Sequence, residues 1–278
     1  MAVVGATVLA YSPAASWLSA YNQSLVIGRY RDSIQRVSPP PSEQLAAARR
    51  YNADLSAGAV LEADSNVPTG KGESRPGASD YWTLLDTPDR AMARIQIPKI
   101  GVDLPIYHGT SDAVLRKGAG HLRGTSLPVG GRSTHAVITA HRGLAEATMF
   151  TDLDKLERGD RFVVTTFGEV LAYRVIDTRV VEPQDTATLR QEPGRDLVTL
   201  VTCTPLGINT HRILVTGVRI SPTPRADKEV AAKAGAGLAF PWWAVLYAGG
   251  LLLIALYVWR AGRTRSPRRA HEAVDRAE

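Results

Sequence analysis

The sequence predicts an all-β fold with short helices: an eight-stranded barrel set between apolar terminal segments. Three observations predict it. Short runs of β-branched and aromatic residues, bounded by turn residues, recur at close spacing between Ala91 and Ile220. An uncharged stretch from Leu238 to Trp259 is long enough, as a helix, to cross a hydrocarbon core roughly 30 Å thick. The composition, 44% hydrophobic and 22% charged over 278 residues, fits one globular domain with appendages and excludes a disordered chain.

In chain order, residues 1–22 read as an N-terminal membrane anchor or signal segment. They carry no charge and lack a basic n-region, so the segment is either a cleavable signal or an anchor whose start lies upstream. Residues 23–90 form a helical and loop region. Its helix covers 40–56, with Leu45, Ala48 and Leu55 on one face, and VPTGKGESRPGASD is its clearest loop. The barrel occupies 91–222, with strands at 93–98, 102–107, 134–140, 161–167, 170–182, 197–203 and 212–220. The segment 143–156 is the one helical interruption. A polar stalk (223–236) leads to a transmembrane helix (237–259) whose ends carry Trp242, Trp243, Tyr257 and Trp259 as interfacial aromatics. The basic tail 260–278 holds Arg260, Arg263, Arg265, Arg268 and Arg269. By the positive-inside rule it is cytoplasmic, which places the barrel outside.

Net charge is +6, but the dense basic stretch abuts an apolar run, so a membrane and not a nucleic acid is the expected partner. Cys203 is the sole cysteine, which excludes an internal disulfide and a Cys-rich zinc module. It is either a small buried hydrophobe or a nucleophile, and its extracytoplasmic setting leaves both readings open. No histidine pair has metal-binding helical spacing, so no metal is expected.

Three polar residues fall at strand ends. His141 follows the apolar run AVITA. Cys203 closes LVTLVTC, sharing a face with Leu197, Thr199 and Val201. Arg212 opens the next strand, and antiparallel pairing of the two brings it beside Cys203. An imidazole to handle the proton, a thiol to attack and a guanidinium to stabilise an oxyanion can make an acyl-transfer site. Taken singly, each has a plain alternative as a turn histidine, a packed thiol or an edge cation. His108, His121, His135, His211 and His271 compete for the base. No carboxylate partner for His141 is evident.

The residues also carry a resemblance. TLVTCTPLGINTHRILVTG (199–217) and ITAHRG (138–143) resemble the cysteine and histidine motifs of sortases. IPKIGVDLPIYHGT (97–110), GAGHLRGTSLPVGG (118–131) and HRGLAEATMFTDLDKLERGD (141–160) resemble class C, pilin-polymerising members. The resemblance implies a sortase-type eight-stranded β-barrel and a cysteine transpeptidase that needs no cofactor. It implies cleavage of a Leu-Pro-x-Thr-Gly signal between Thr and Gly through a thioester. The acyl group then passes to an amine, either a pilin lysine or, in an anchoring enzyme, a cell-wall precursor. Partners are thus pilin or surface-protein substrates bearing that signal. Cys203 becomes the nucleophile, His141 the general acid/base, Arg212 the oxyanion or substrate-positioning cation, and Thr202 a substrate contact. Against this stand a non-catalytic, membrane-tethered barrel with a structural cysteine, and an L,D-transpeptidase, whose Ser-x-Gly-Cys context VTCTPL does not match.

Two departures bear on the site. Ala140 replaces the glycine that usually precedes the sortase histidine. The stretch 61–82 offers Asp64-Ser65-Asn66 and Asp80-Tyr81-Trp82, but no Asp-Pro-aromatic lid motif, so an open site with an accessible thiol is expected.

Overall fold

The computed structural model describes residues 1–61, 80–145, 147–183, 185, 187–233 and 240–263. Eight strands run β1 (Ala91–Ile97), β2 (Val102–His108), β3 (Ala119–His121), β4 (Thr134–Thr139), β5 (Arg161–Thr166), β6 (Glu169–Val181), β7 (Asp196–Thr204) and β8 (His211–Ile220). They close into a barrel in the order β1-β2-β3-β4-β7-β8-β6-β5. The pairs β2–β3 and β4–β7 are parallel and the other six are antiparallel. Closure leaves no free sheet edge.

Side-chain alternation sorts each strand into an inner and an outer face. Ala136 and Ile138 on β4, Val198 and Leu200 on β7, and Ile213 and Val215 on β8 join Phe162 and Tyr173 in the barrel core. The residues between them, Val137, Val201 and Leu214, form a separate apolar cluster on the outer face. Leu122, Val181 and Leu189 pack over that cluster. Cys203 lies two positions beyond Val201, and so on the outer face.

The sequence pattern misses β3, whose three residues are too few to show a period. It also misassigns 143–156, whose described residues form not a helix but a loop ending in a 3-10 turn at Leu153–Lys155. Buried Met149, Phe150 and Leu153 mimic helical spacing, but Gly143 and Met149 both take positive φ. The Phe150 N–H donates to His141 O at 3.0 Å, which folds the segment back on the end of β4.

Helices cover the barrel's flank and lower end. Helix α1 (Ala2–Ile34) is continuous well past residue 22. Its second half docks on the barrel: Ile27, Tyr30 and Ser33 are buried, and Tyr30 OH donates to Met92 O at 2.8 Å while accepting from Phe167 N. Helix α2 (Pro41–Leu61) buries Leu45 and Ala48, and Asn52 holds both backbone polar groups of Leu127. The expected loop VPTGKGESRPGASD, except its last residue Asp80, and Asp64-Ser65-Asn66 before it lie outside the described residues. After it, Asp80 caps a 3-10 turn (Tyr81–Thr83) that leads to buried Leu84 and Leu85. A four-residue helix, α3 (Asp112–Leu115), lies in the β2–β3 crossover.

The stretch expected as a polar stalk contains helix α4 (Arg225–Ala232), packed on β5 and β6 and bonded at its end by side chains of β1. Gln96 donates to Val230 O and Arg94 to Lys233 O. Arg94 also makes a two-pronged, buried ion pair with Asp103 at 2.7 Å. Such a pair is costly to break because a lone buried charge remains. Helix α5 (Trp242–Arg263) follows. It and α1 are the two helices long and apolar enough to cross a membrane among the described residues.

Candidate active site

Strand register assembles the site. In the β4–β7 pair, Thr139 lies level with Val201, and Ala140 N donates to Val201 O at 3.2 Å. β4 ends at Thr139, but bonds from Thr202 to Ala140 and from Arg142 to Thr204 carry the alignment past it, so His141 follows level with Cys203. On the other side of β7, Cys203 is the cross-strand partner of Arg212. Adjacent strands lie about 4.8 Å apart, so one outer-face row reads His141, Cys203, Arg212. Sequence alone supplied the Cys203–Arg212 half of that row; the parallel β4–β7 pairing supplies the other.

Two fasteners hold the row. Thr202 Oγ1 donates to Ala140 O at 2.8 Å, tying the residue before Cys203 to the residue before His141. One position further on, Arg142 Nη1 donates to Thr204 Oγ1 at 2.8 Å. Arg142 also donates to Thr151 O and pairs with Asp154 at 2.7 Å, and its side chain is 9% exposed. The expected substrate contact at Thr202 is therefore corrected. Thr202 is fully buried and faces the barrel interior, because alternation sends neighbouring Cys203 outward. Its hydroxyl is used up in positioning. Arg142 escaped the sequence reading, although it directly follows His141.

The other described histidines are sorted by their partners. His135 Nε2 meets Thr199 Oγ1 at 2.7 Å and its Nδ1 meets Arg190 O at 2.8 Å. His121 sits between Tyr81 OH and Ser126 O, and burial pushes its pKa down to about 4. His108 holds Leu84 O, and burial lowers its pKa too. These three are neutral pieces of the core. His211 is exposed beside Thr210, and His271 lies outside the described residues.

His141 is different. Its Nε2 is buried with no hydrogen-bond partner, and 3.4 Å away lies Asp112 Oδ1, at ion-pair range. Asp112 opens α3, in the β2–β3 crossover. A hydrogen bond from Arg116, and after it the nearby His141, hold the Asp112 carboxyl below the usual carboxylate range. Asp112 is thus the carboxylate neighbour that the sequence did not reveal. The two residues are far apart in the chain and meet only through the crossover. Catalytic contacts commonly stand loose without substrate, so 3.4 Å is compatible with a working pair.

Arg212 spends Nη1 on two carbonyls of its own loop, Asn209 O at 2.9 Å and His211 O at 3.0 Å. Those bonds anchor the guanidinium beside Cys203. Cys203 itself is half-buried. Among the described residues no group of three or more His, Cys, Asp or Glu could hold a metal. The arrangement is that of a thiol between an imidazole and a guanidinium, at the end of the outer-face cluster of Val137, Val201 and Leu214.

Comparison with known proteins bears on the family and the fold. A family model described as a sortase domain matches residues 95–220. Sortase D of Bacillus subtilis (strain 168) is 29% identical over 136 residues, a match covering 48% of this chain and 65% of that protein. The chain spans less than two thirds of the curated relatives it matches first. Among solved structures, sortase C-1 from Actinomyces oris superposes with a TM-score of 0.57 at 49% identity, covering 65% of this chain and 98% of that one. The pilus-related sortase C of Group B Streptococcus gives 0.59 at 40% identity, covering 69% and 96%.

Proposed function

The chain belongs to the sortase family, and from that premise we propose that it is a membrane-anchored cysteine transpeptidase that joins pilins. The observation that carries this reading is the single row of His141, Cys203 and Arg212 on the outer face. The substrate is a Leu-Pro-x-Thr-Gly signal whose Thr–Gly bond is presented to the half-buried Cys203, beyond the covered cluster of Val137, Val201 and Leu214.

The thiolate of Cys203 attacks the threonine carbonyl carbon, and the Arg212 fork donates hydrogen bonds to the oxyanion that forms. As the Thr–Gly carbon–nitrogen bond breaks, protonated His141 gives its proton to the departing glycine amine. A thioester to Cys203 remains. An incoming amine attacks it, His141 takes up the amine proton, and the thiolate leaves. The peptide-bond energy is kept in the thioester and returned to an amide, so the cycle needs no cofactor. Likeness to a pilus-related sortase C supports a pilin lysine as the acceptor amine. The arginines after Trp259 support a cytoplasmic C-terminus and an outward-facing barrel.

The test is acylation of the full-length protein by a Leu-Pro-x-Thr-Gly peptide, read by intact mass. Wild type should gain the mass of the acyl fragment and lose it to an added lysine-bearing pilin peptide. Cys203→Ala should gain nothing while keeping the wild-type melting temperature, because one sulfur is a small packing loss. Equal adduct on the alanine variant would overturn the assignment.

A further inference from the structure

The two apolar helices fix the level at which the barrel meets the bilayer. Thr7 on α1 and Tyr247 on α5 touch through their hydroxyls at 2.9 Å. The helices run antiparallel, and chain reach requires it. Arg31 holds the carbonyls of Ala231 and Ala232, so the chain leaves α4 beside residue 31 of α1. From there the nine residues to Trp242 reach at most about 30 Å. A parallel α5 would start beside Ala2, about 43 Å away along α1, whereas an antiparallel one starts beside Ser12, about 28 Å away.

Trp242 and Ser12 therefore stand at one level. Tryptophans at a helix end sit in the headgroup layer, and Trp242 is 65% exposed, with only the neighbouring Phe240 ring recorded against its own. Ser12 in turn donates to Ala145 O at 2.8 Å. Ala145 belongs to the loop that follows His141. The headgroup level passes through the rim of the candidate active site.

The β7–β8 loop completes that rim. Gly143 has a φ of +70°, and the space its side chain would need is filled by Leu206. Leu206 is 53% and Ile208 68% exposed, in a stretch (204–210) without a charged residue. Exposed aliphatic side chains on a loop tip, next to a membrane-level contact, suit an interface and not bulk water.

We propose that the rim formed by the post-His141 loop with Leu206 and Ile208 rests in the headgroup layer, so that the active site opens along the membrane surface. Resting on the transpeptidase reading, this places the scissile bond at the level of the lipid headgroups when it meets Cys203.

The test uses full-length protein in phosphatidylcholine–phosphatidylglycerol nanodiscs. A Cys203→Ala background leaves one introduced thiol for an environment-sensitive fluorophore. Labels go on Ile208→Cys and Ala145→Cys at the rim, and on Arg132→Cys, an exposed residue at the opposite end of the barrel. The readout is quenching by lipid carrying a headgroup nitroxide. Several-fold stronger quenching at both rim positions than at position 132 is expected. Quenching at 208 and 145 no greater than at 132 would overturn the proposal. The background is catalytically silenced and the acylation test needs no membrane, so either reading can fail without the other.

Discussion

At the lower end of β7, Asp196 accepts hydrogen bonds from Gly131 N at 2.9 Å and from Tyr173 OH at 3.1 Å, with Arg219 3.9 Å away. At the upper end, about 23 Å along the same strand, Cys203 stands between His141, whose Nε2 has no hydrogen-bond partner, and an arginine anchored through one nitrogen. Both ends are polar and both lie between neighbouring strands. The lower end is closed on itself: each group meets another group of the protein. The upper end keeps its backbone fastened by Thr202 and Arg142 but leaves the row itself short of partners. Polar groups that satisfy one another hold a fold together, whereas groups held in place yet left unsatisfied are available to a substrate.

The comparison predicts opposite responses to substitution. At the upper end, Arg212→Ala should lower single-turnover acylation by about 10²–10³, the usual loss for one oxyanion donor. Arg212→Lys should recover little of it, since a point charge does not reproduce the planar fork. Neither should change the melting temperature measurably, because Arg212 bonds only carbonyls of its own exposed loop. Near-wild-type acylation by Arg212→Ala would reduce Arg212 to a surface cation and erase the distinction between the two ends.

At the lower end the effect should fall on stability and its pH dependence. Burial raises the pKa of Asp196 above its ordinary value. The folded protein then holds that proton at pH values where the unfolded chain has released it. The resulting stability is fully present below the unfolded pKa and is lost as pH rises through the folded one. Asp196→Asn removes this titration. The melting temperature of wild type relative to the variant should therefore increase between about pH 6 and about pH 4, while acylation at pH 7 changes less than about twofold. A difference that shrinks on acidification would mean that Asp196 is ionised and stabilising, and that the lower end is an ion-pair site.

The two ends were also unequally legible in the sequence. Alternation in LVTLVTC placed Cys203 correctly with Leu197, Thr199 and Val201, and the short loop to Arg212 implied their pairing. Both are local inferences along one hairpin. What the sequence hid is set by the crossovers. The run ITAHRG singled out His141, but its place level with Cys203 depends on the parallel β4–β7 pairing, and its open Nε2 contrasts with His121 and His135 only once their buried partners are seen. Thr202 was misread for want of a sense of direction, since the strand that exposes its neighbour buries Thr202 itself. The segment after His141 was misread because apolar residues at helical spacing serve a folded-back loop equally well once Gly143 and Met149 adopt positive φ. The terminal helices were legible in existence and type. That α1 continues onto the barrel, and that the stalk region packs on β5 and β6, depends on contacts with distant strands.

The finest test of the upper end concerns Asp112. Its Oδ1 is 3.4 Å from His141 Nε2, but its side chain is 66% exposed and shared with Arg116. An exposed carboxylate is well screened, so its pull on a protonated imidazole is modest. Asp112→Asn should lower the acylation rate by only about two- to fivefold at low salt. A structural explanation competes, because Asp112 also sits in the first turn of α3 and bonds Arg116 four residues on. Ionic strength separates the two. If the carboxylate acts through its field, raising salt from about 0.01 M to about 1 M shortens the screening length from about 30 Å to about 3 Å, and the wild-type advantage should narrow toward unity. Asp112→Glu, which keeps the charge, should recover part of the rate at low salt. A wild-type advantage that is the same at both salt concentrations, and is not recovered by glutamate, would assign Asp112 to holding α3. His141 would then work without an acidic partner.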